Sequence, residues 1–351
     1  MLWRRIHDYL QSHPALCLLI LAPEVEYLTG SSQLSYLIDQ PILFFLFLAQ
    51  NLASYGAAVL LIREARVRWN LGWTGVLFLG ACYGIINEGI GVSTLFRTGV
   101  GGVGVAGSYQ HAFGVNWLNV TDLIPIVHPL FSVALPILFL DLALPETRGR
   151  TLLTSREMAL AFYALVVDSI VTPYFIYRLT GFAAGPFLWA ACVGTIGVLV
   201  LAARLLPRNL FEPKTALPRA RPWHFALLGM TFVWILGLSQ AVLVRFVVPV
   251  AIIAAWVLAF AALTLFVVLR NIGRTGSQPQ VVALAGGLVV SLIPMGILAQ
   301  LGTGPGLIPV LVADGIVVYF VLWLWKKYRP GTQPEGPGPA KRRSEAIAIQ
   351  D

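Results

Sequence analysis

Two residues of complementary chemistry stand out in a chain with few charges. Glu88 lies in Tyr83-Gly84-Ile85-Ile86-Asn87-Glu88-Gly89, and His128 ends Ile124-Pro125-Ile126-Val127-His128. A carboxylate in apolar surroundings holds its proton more tightly and can serve as a general base for water near neutral pH. A histidine can donate protons or bind an oxyanion. Helical spacing gathers other polar groups around them. Gly80, Gly84 and Glu88 recur at i, i+4 and i+8, so they share one face. The small-xxx-small pair lets another helix approach and brings Glu88 into an interhelical contact. Gln50 with Ser54 and Asn51 with Tyr55 form i, i+4 pairs, and Thr121, Pro125, His128 and Ser132 make one polar stripe. Asp168 stacks with Thr172, just before Pro173. The candidate catalytic residues are therefore Glu88 and His128, and the candidate binding residues are Glu26, Asn87, Asp122, Ser132 and Asp168. No metal site and no cofactor is expected.

The elements that position these groups follow from composition. Of 351 residues, 58% are apolar and only 11% are charged, against about 45–50% and about 25% in soluble domains. That leaves too little polar surface to cover a soluble globule, and excludes a disordered chain or a disulfide-stapled secreted domain. The expectation is an all-α polytopic membrane bundle with ten spans, at about 14–30, 41–62, 71–91, 118–141, 158–178, 184–203, 224–244, 246–269, 280–300 and 306–325. The first is short and carries Glu24 and Glu26, and little more than Arg245 separates the seventh from the eighth. With the N-terminus inside and strict alternation, 21 of the 24 Lys and Arg residues fall on the inner side. Only Arg97, Arg178 and Arg245 fall outside. This is the skew of positive-inside insertion, so both termini are expected in the cytoplasm of a cell-membrane protein. The net charge of +8 is then an orientation signal rather than a sign of nucleic-acid binding. Met1–Ala22 has Arg4 and Arg5 before an apolar run but no small-x-small cleavage site, and reads as a retained anchor.

The polar residues divide the chain. Residues 1–180 form a polar-lined five-helix half, the candidate functional half; residues 181–328 form an apolar five-helix half; residues 329–351 form a disordered basic cytoplasmic tail. Pro125, Pro129 and Pro136 each remove a backbone donor, so the fourth span is expected to be broken, either lining a cavity or kinked for packing. Cys17, Cys82 and Cys192 fall inside apolar runs and read as buried hydrophobes. Gly102, Gly104 and Gly107 spell a formal dinucleotide motif, but no strand precedes it and it reads as a glycine loop, with Arg97 and His111 solvent-facing. The Asn119-Val120-Thr121 sequon hugs the membrane. There is no H-E-x-x-H and no G-x-S-x-G. Asp314 on the tenth span reads equally as an interhelical hydrogen bond or a catalytic group.

The stretches around Glu88 and His128 resemble the CPBP (CAAX protease and bacteriocin-processing) family. They also resemble uncharacterised prokaryotic polytopic proteins. In the CPBP family one helix carries a double glutamate followed by an arginine, and another carries an aromatic residue ahead of a histidine. Glu88 and His128 carry over; Asn87 stands for the first glutamate, Val92 for the arginine and Ile124 for the aromatic residue. The resemblance, over about a tenth of the chain, implies a glutamate-dependent intramembrane protease, or an inactive relative, with glutamate activating water and histidine assisting. Its partners would be the lipid bilayer and a membrane-embedded peptide. The residues themselves leave two alternatives open. One is a transporter binding a small solute, cation or proton at the buried acids; the other is a non-catalytic scaffold whose polar stripes only specify packing.

Overall fold

The structure is a computed structural model that describes residues 9, 11–98 and 109–330. Arg4 and Arg5, the glycine loop at Gly102, Gly104 and Gly107, and the basic tail past residue 330 lie outside them. Among the described residues there is no strand, and eight helices are long and apolar enough to cross a membrane. The chain is thus a multi-pass helical membrane protein. In order come α1 (Pro14–Leu21), α2 (Glu24–Leu28) and α3 (Pro41–Arg68), then α4, which is Trp73–Gly84 continued by Ile85–Gly91. There follow α5 (Trp117–Ala143), α6 (Ser155–Thr180), α7 (Pro186–Leu205), α8 (Pro222–Arg245), α9 (Val250–Asn271), α10 (Gln278–Ala299) and α11 (Gly304–Tyr328).

Local sequence explains the boundaries. Pro41, Pro186 and Pro222 sit in the first turn of α3, α7 and α8, where a missing N–H costs nothing. Thr154 and Glu157 make a reciprocal capping box at the start of α6, and Gly181, at φ 71°, closes its end in the left-handed region. Two of the ten expected spans are not among the eight. The first is two short helices, because Ala22 and Pro23 form a turn between α1 and α2. The third, α4, is a continuous helix whose apolar character is diluted by Asn87, Glu88 and five glycines.

Helices α6 to α9 present bare apolar surface, with Leu179 80%, Phe187 82% and Leu205 79% exposed. Only an apolar solvent makes such a surface favourable. The well-buried part of the bundle is α3, α4, α5 and α10. Close approach of α4 to α5 depends on glycine. A Cβ on Gly80 would stand 2.7 Å from the Pro129 Cα, and one on Gly84 3.1 Å from the His128 Cβ.

Loops between helices gather at two ends. At one, Arg63 donates to the Thr147 carbonyl at 2.6 Å and to Glu64 at 2.9 Å, while Glu64 also accepts from the Leu152 N–H at 2.7 Å. Arg66 pairs with Asp141 at 2.8 Å, and Lys327 donates to the Leu142 and Ala143 carbonyls. At the other end, Ser35 N–H donates to Gln300 at 3.1 Å, and Val250 N–H to Gln110 at 2.6 Å.

Candidate functional site

Three stretches of the bundle wind more widely than an α-helix: Leu52–Gly56 in α3, Ile85–Gly91 in α4 and Leu123–Ala134 in α5. Such π-helical turns are rare and cluster at functional sites, because the extra residue re-aims neighbouring side chains. Here they meet. The first supplies Ser54 and Tyr55, the second Asn87 and Glu88, the third His128 and Ser132, and all six are buried.

His128 Nε2 lies 2.9 Å from Glu88 Oε1, and His128 Nδ1 lies 3.2 Å from Ser132 Oγ. An ionised carboxylate only accepts, so in that state the proton sits on Nε2 and Nδ1 meets the Ser132 hydroxyl. The other carboxylate oxygen of Glu88 accepts from the Thr94 hydroxyl, whose backbone carbonyl is in turn held by Asn119 Nδ2 at 3.1 Å. Tyr83 packs its ring edge-on to His128 at 5.5 Å and Tyr55 lies at 6.1 Å, which fixes the imidazole plane.

The network runs on. Asn87 Nδ2 donates to the Tyr55 hydroxyl at 2.9 Å and, more weakly, to Glu88 Oε1 at 3.4 Å. Tyr55 donates to Glu26 Oε1 at 2.6 Å. Ser54 lies 3.1 Å from the Tyr83 hydroxyl and donates to Asn87 Oδ1 at 3.4 Å. Asp168 accepts from Thr172 at 2.8 Å, and the Gln50 and Ser54 side chains face it. Five helices, α2 to α6, thus contribute to one polar interior.

Of the expected site residues, Glu88, His128, Ser132, Asn87 and Glu26 share this network directly, and Asp168 joins through Ser54. Asp122 does not: it faces Gln240 of α8, and its Oδ1 has no hydrogen-bond partner. The expected polar stripe on the fourth span also changes. Thr121 bonds back to the Trp117 and Leu118 carbonyls and Pro125 is exposed, because the wider winding below Asp122 rotates them away from His128. That winding also explains why the helix is not broken: Pro129 cannot donate, yet the widened register carries the chain past it. Glu24 borders a separate small cavity with Val25, Leu28, Phe131 and Leu292. Arg97 and His111 are not solvent-facing. Arg97 is buried, and His111 is half-buried with Nε2 3.0 Å from the Phe96 carbonyl.

Tyr83 and Thr94 carry no role in the sequence pattern, and Ser54 and Tyr55 enter it only as members of polar stripes. The i, i+4 pairing on the second span was a signal for the last two; nothing local marks Thr94. Among the described residues no group of three or more His, Cys, Asp or Glu side chains is placed to hold a metal ion. The arrangement offers an acid–base pair that can pass one proton between carboxylate and imidazole, connected through Asn87 and Tyr55 to a second carboxylate. No family model, no curated protein and no solved structure matches the chain.

Proposed function

We propose that the chain is a membrane-embedded hydrolase of the CPBP type, with Glu88 the general base and His128 its proton partner. The observation that carries this reading is the 2.9 Å Glu88–His128 contact at the junction of three π-helical segments. The Glu88 side chain keeps 11% of its surface exposed, against 2% for His128, so it is the more open member of the pair. In the reaction Glu88 takes a proton from water as the water oxygen bonds the carbonyl carbon, then delivers that proton to the leaving amine as the C–N bond breaks, and the His128 Nε2–H steadies the carboxylate between the two transfers. Thr94, Ser132 and the ring of Tyr83 hold the pair in place. Asn87, where the family carries its first glutamate, bonds Tyr55 and Ser54 and positions rather than reacts.

The substrate on this reading is a membrane-embedded peptide in a cell membrane. Ten passes with both termini in the cytoplasm are supported by the gathering of the loops rich in arginine and lysine at one end of the bundle, opposite the Ser35, Gln110 and Gln300 contacts. Expressing the wild type or Glu88→Gln and comparing newly formed peptide termini in the membrane fraction tests the activity. Termini that appear with the wild type and vanish with Glu88→Gln and His128→Ala are expected; identical sets from all three overturn it.

The chain of hydrogen bonds from Glu26 through Tyr55 and Asn87 to Glu88 and His128 favours a second reading, proton-coupled transport. Dissipation of an imposed pH gradient in proteoliposomes, abolished by Glu26→Gln, is its expected result, and no proton flux would sink it.

A further inference from the structure

We propose that Arg97 anchors a site for a phosphate group at the outer end of the bundle. Arg97 is only 7% exposed, and among the described residues its guanidinium makes no hydrogen bond and no ion pair. The atom Nε is buried without a partner. Burying the Nε–H of a cation without a partner is penalised, and an anion seated against the guanidinium would relieve that cost.

Among the described residues no carboxylate is paired with Arg97, and the neighbouring carbonyls already accept other hydrogen bonds. The Ser93 carbonyl already accepts from the Phe96 and Arg97 N–H groups, and the Thr94 carbonyl from Asn119. The Leu95 carbonyl accepts from the Asn116 N–H at 2.7 Å, and the Phe96 carbonyl is engaged by His111. Glu88, the acid of the neighbouring network, has both oxygens occupied by His128, Asn87 and Thr94. The loop is therefore pinned by its own backbone while the guanidinium is left over.

A guanidinium presents a planar fork of donors suited to two oxygens of one anion. Position selects phosphate. Arg97 follows the end of α4 by six residues, where alternation places the outer surface of the bilayer and its phosphate layer. It is also one of only three Lys or Arg residues expected on that side. The anion is either a lipid headgroup phosphate or free phosphate. The site does not depend on hydrolysis at Glu88.

The test is the melting temperature of purified protein in phosphate-free dodecyl maltoside, titrated with inorganic phosphate against chloride at equal ionic strength. A second arm compares nanodiscs of phosphatidylglycerol with nanodiscs of a neutral, phosphate-free glycolipid. A saturable rise in Tm of about 2 °C or more is expected in at least one arm. The detergent arm alone identifies free phosphate, and the nanodisc arm alone a headgroup. Arg97→Gln should abolish the rise and, without phosphate, melt at or above the wild type, since the uncompensated charge is gone. Glu88→Gln should keep the rise, which separates this site from the hydrolase reading. No rise in either arm, a rise retained by Arg97→Gln, or Arg97→Gln melting several degrees below the wild type without phosphate would overturn the proposal.

Discussion

Tyr55→Phe isolates the hydrogen bonding of the polar interior, because it removes one oxygen and keeps the ring. The ring is buried and packs edge-on to Tyr83 at 5.3 Å, so its packing survives. Two bonds are lost, the donation to Glu26 at 2.6 Å and the acceptance from Asn87 at 2.9 Å. In a water-soluble protein the first, to a carboxyl group, would be worth about 1.5–3 kcal/mol if charged and the second about 0.5–1.5. Interhelical hydrogen bonds measured in a bilayer protein average about 0.6 kcal/mol and reach about 1.7. Asn87 also keeps its weaker contact with Glu88. The expected loss is therefore about 2 kcal/mol, between twice the bilayer average of about 0.6 and twice the bilayer maximum of about 1.7. Reversible unfolding in mixed micelles of mild and denaturing detergent measures it. A double-mutant cycle with Glu26→Gln should return a coupling of about 1 kcal/mol, since both substitutions act on one bond. Additivity to within about 0.3 kcal/mol would refute the claim that Glu26 and Tyr55 interact.

Gly80→Ala should destabilise by about 1–3 kcal/mol despite its better helix propensity, because the new methyl meets backbone of α5 rather than a movable side chain; a neutral or stabilised variant in the same assay refutes the close packing. Removing one partner of the buried Arg63–Glu64 pair, by Glu64→Gln, should cost about 3–5 kcal/mol and expose the 147–153 segment to protease, and unchanged proteolysis would contradict its role as a clamp. Thr94→Val should lower any Glu88-dependent processing while leaving unfolding within about 1 kcal/mol of the wild type. In a cysteine-free background, an impermeant maleimide applied to intact cells should label a cysteine at Phe113, which is 94% exposed, and not one at Arg150. The reverse pattern would invert the orientation.

The coarse architecture was legible because its causes are local. A run of some twenty apolar residues with one or two charges crosses a bilayer whatever its neighbours do, and proline and glycine mark its ends. The Gly80-Gly84-Glu88 spacing also named a face, and that face lies against Pro129 and His128. Where the signal depended on uniform α-helical winding, it misplaced residues. Thr121 and Pro125 were put on the His128 stripe by a 3.6-residue repeat that the fourth span does not keep.

By itself, the sequence determined that this is a multi-pass helical membrane protein and that its costly polar residues concentrate in the first half of the chain. Composition and apolar run length decide both. Only the tertiary structure decided which of those polar residues meet. Tyr55, Asn87, Glu88 and His128 converge because the widened stretches of three helices meet, and Glu26 joins them through Tyr55 from a helix far earlier in the chain. Thr94 reaches Glu88 and Arg97 is buried for a related reason. Both sit on a loop pinned by Asn116, Asn119 and His111, residues that follow it by at least fourteen positions and are brought back only by the fold.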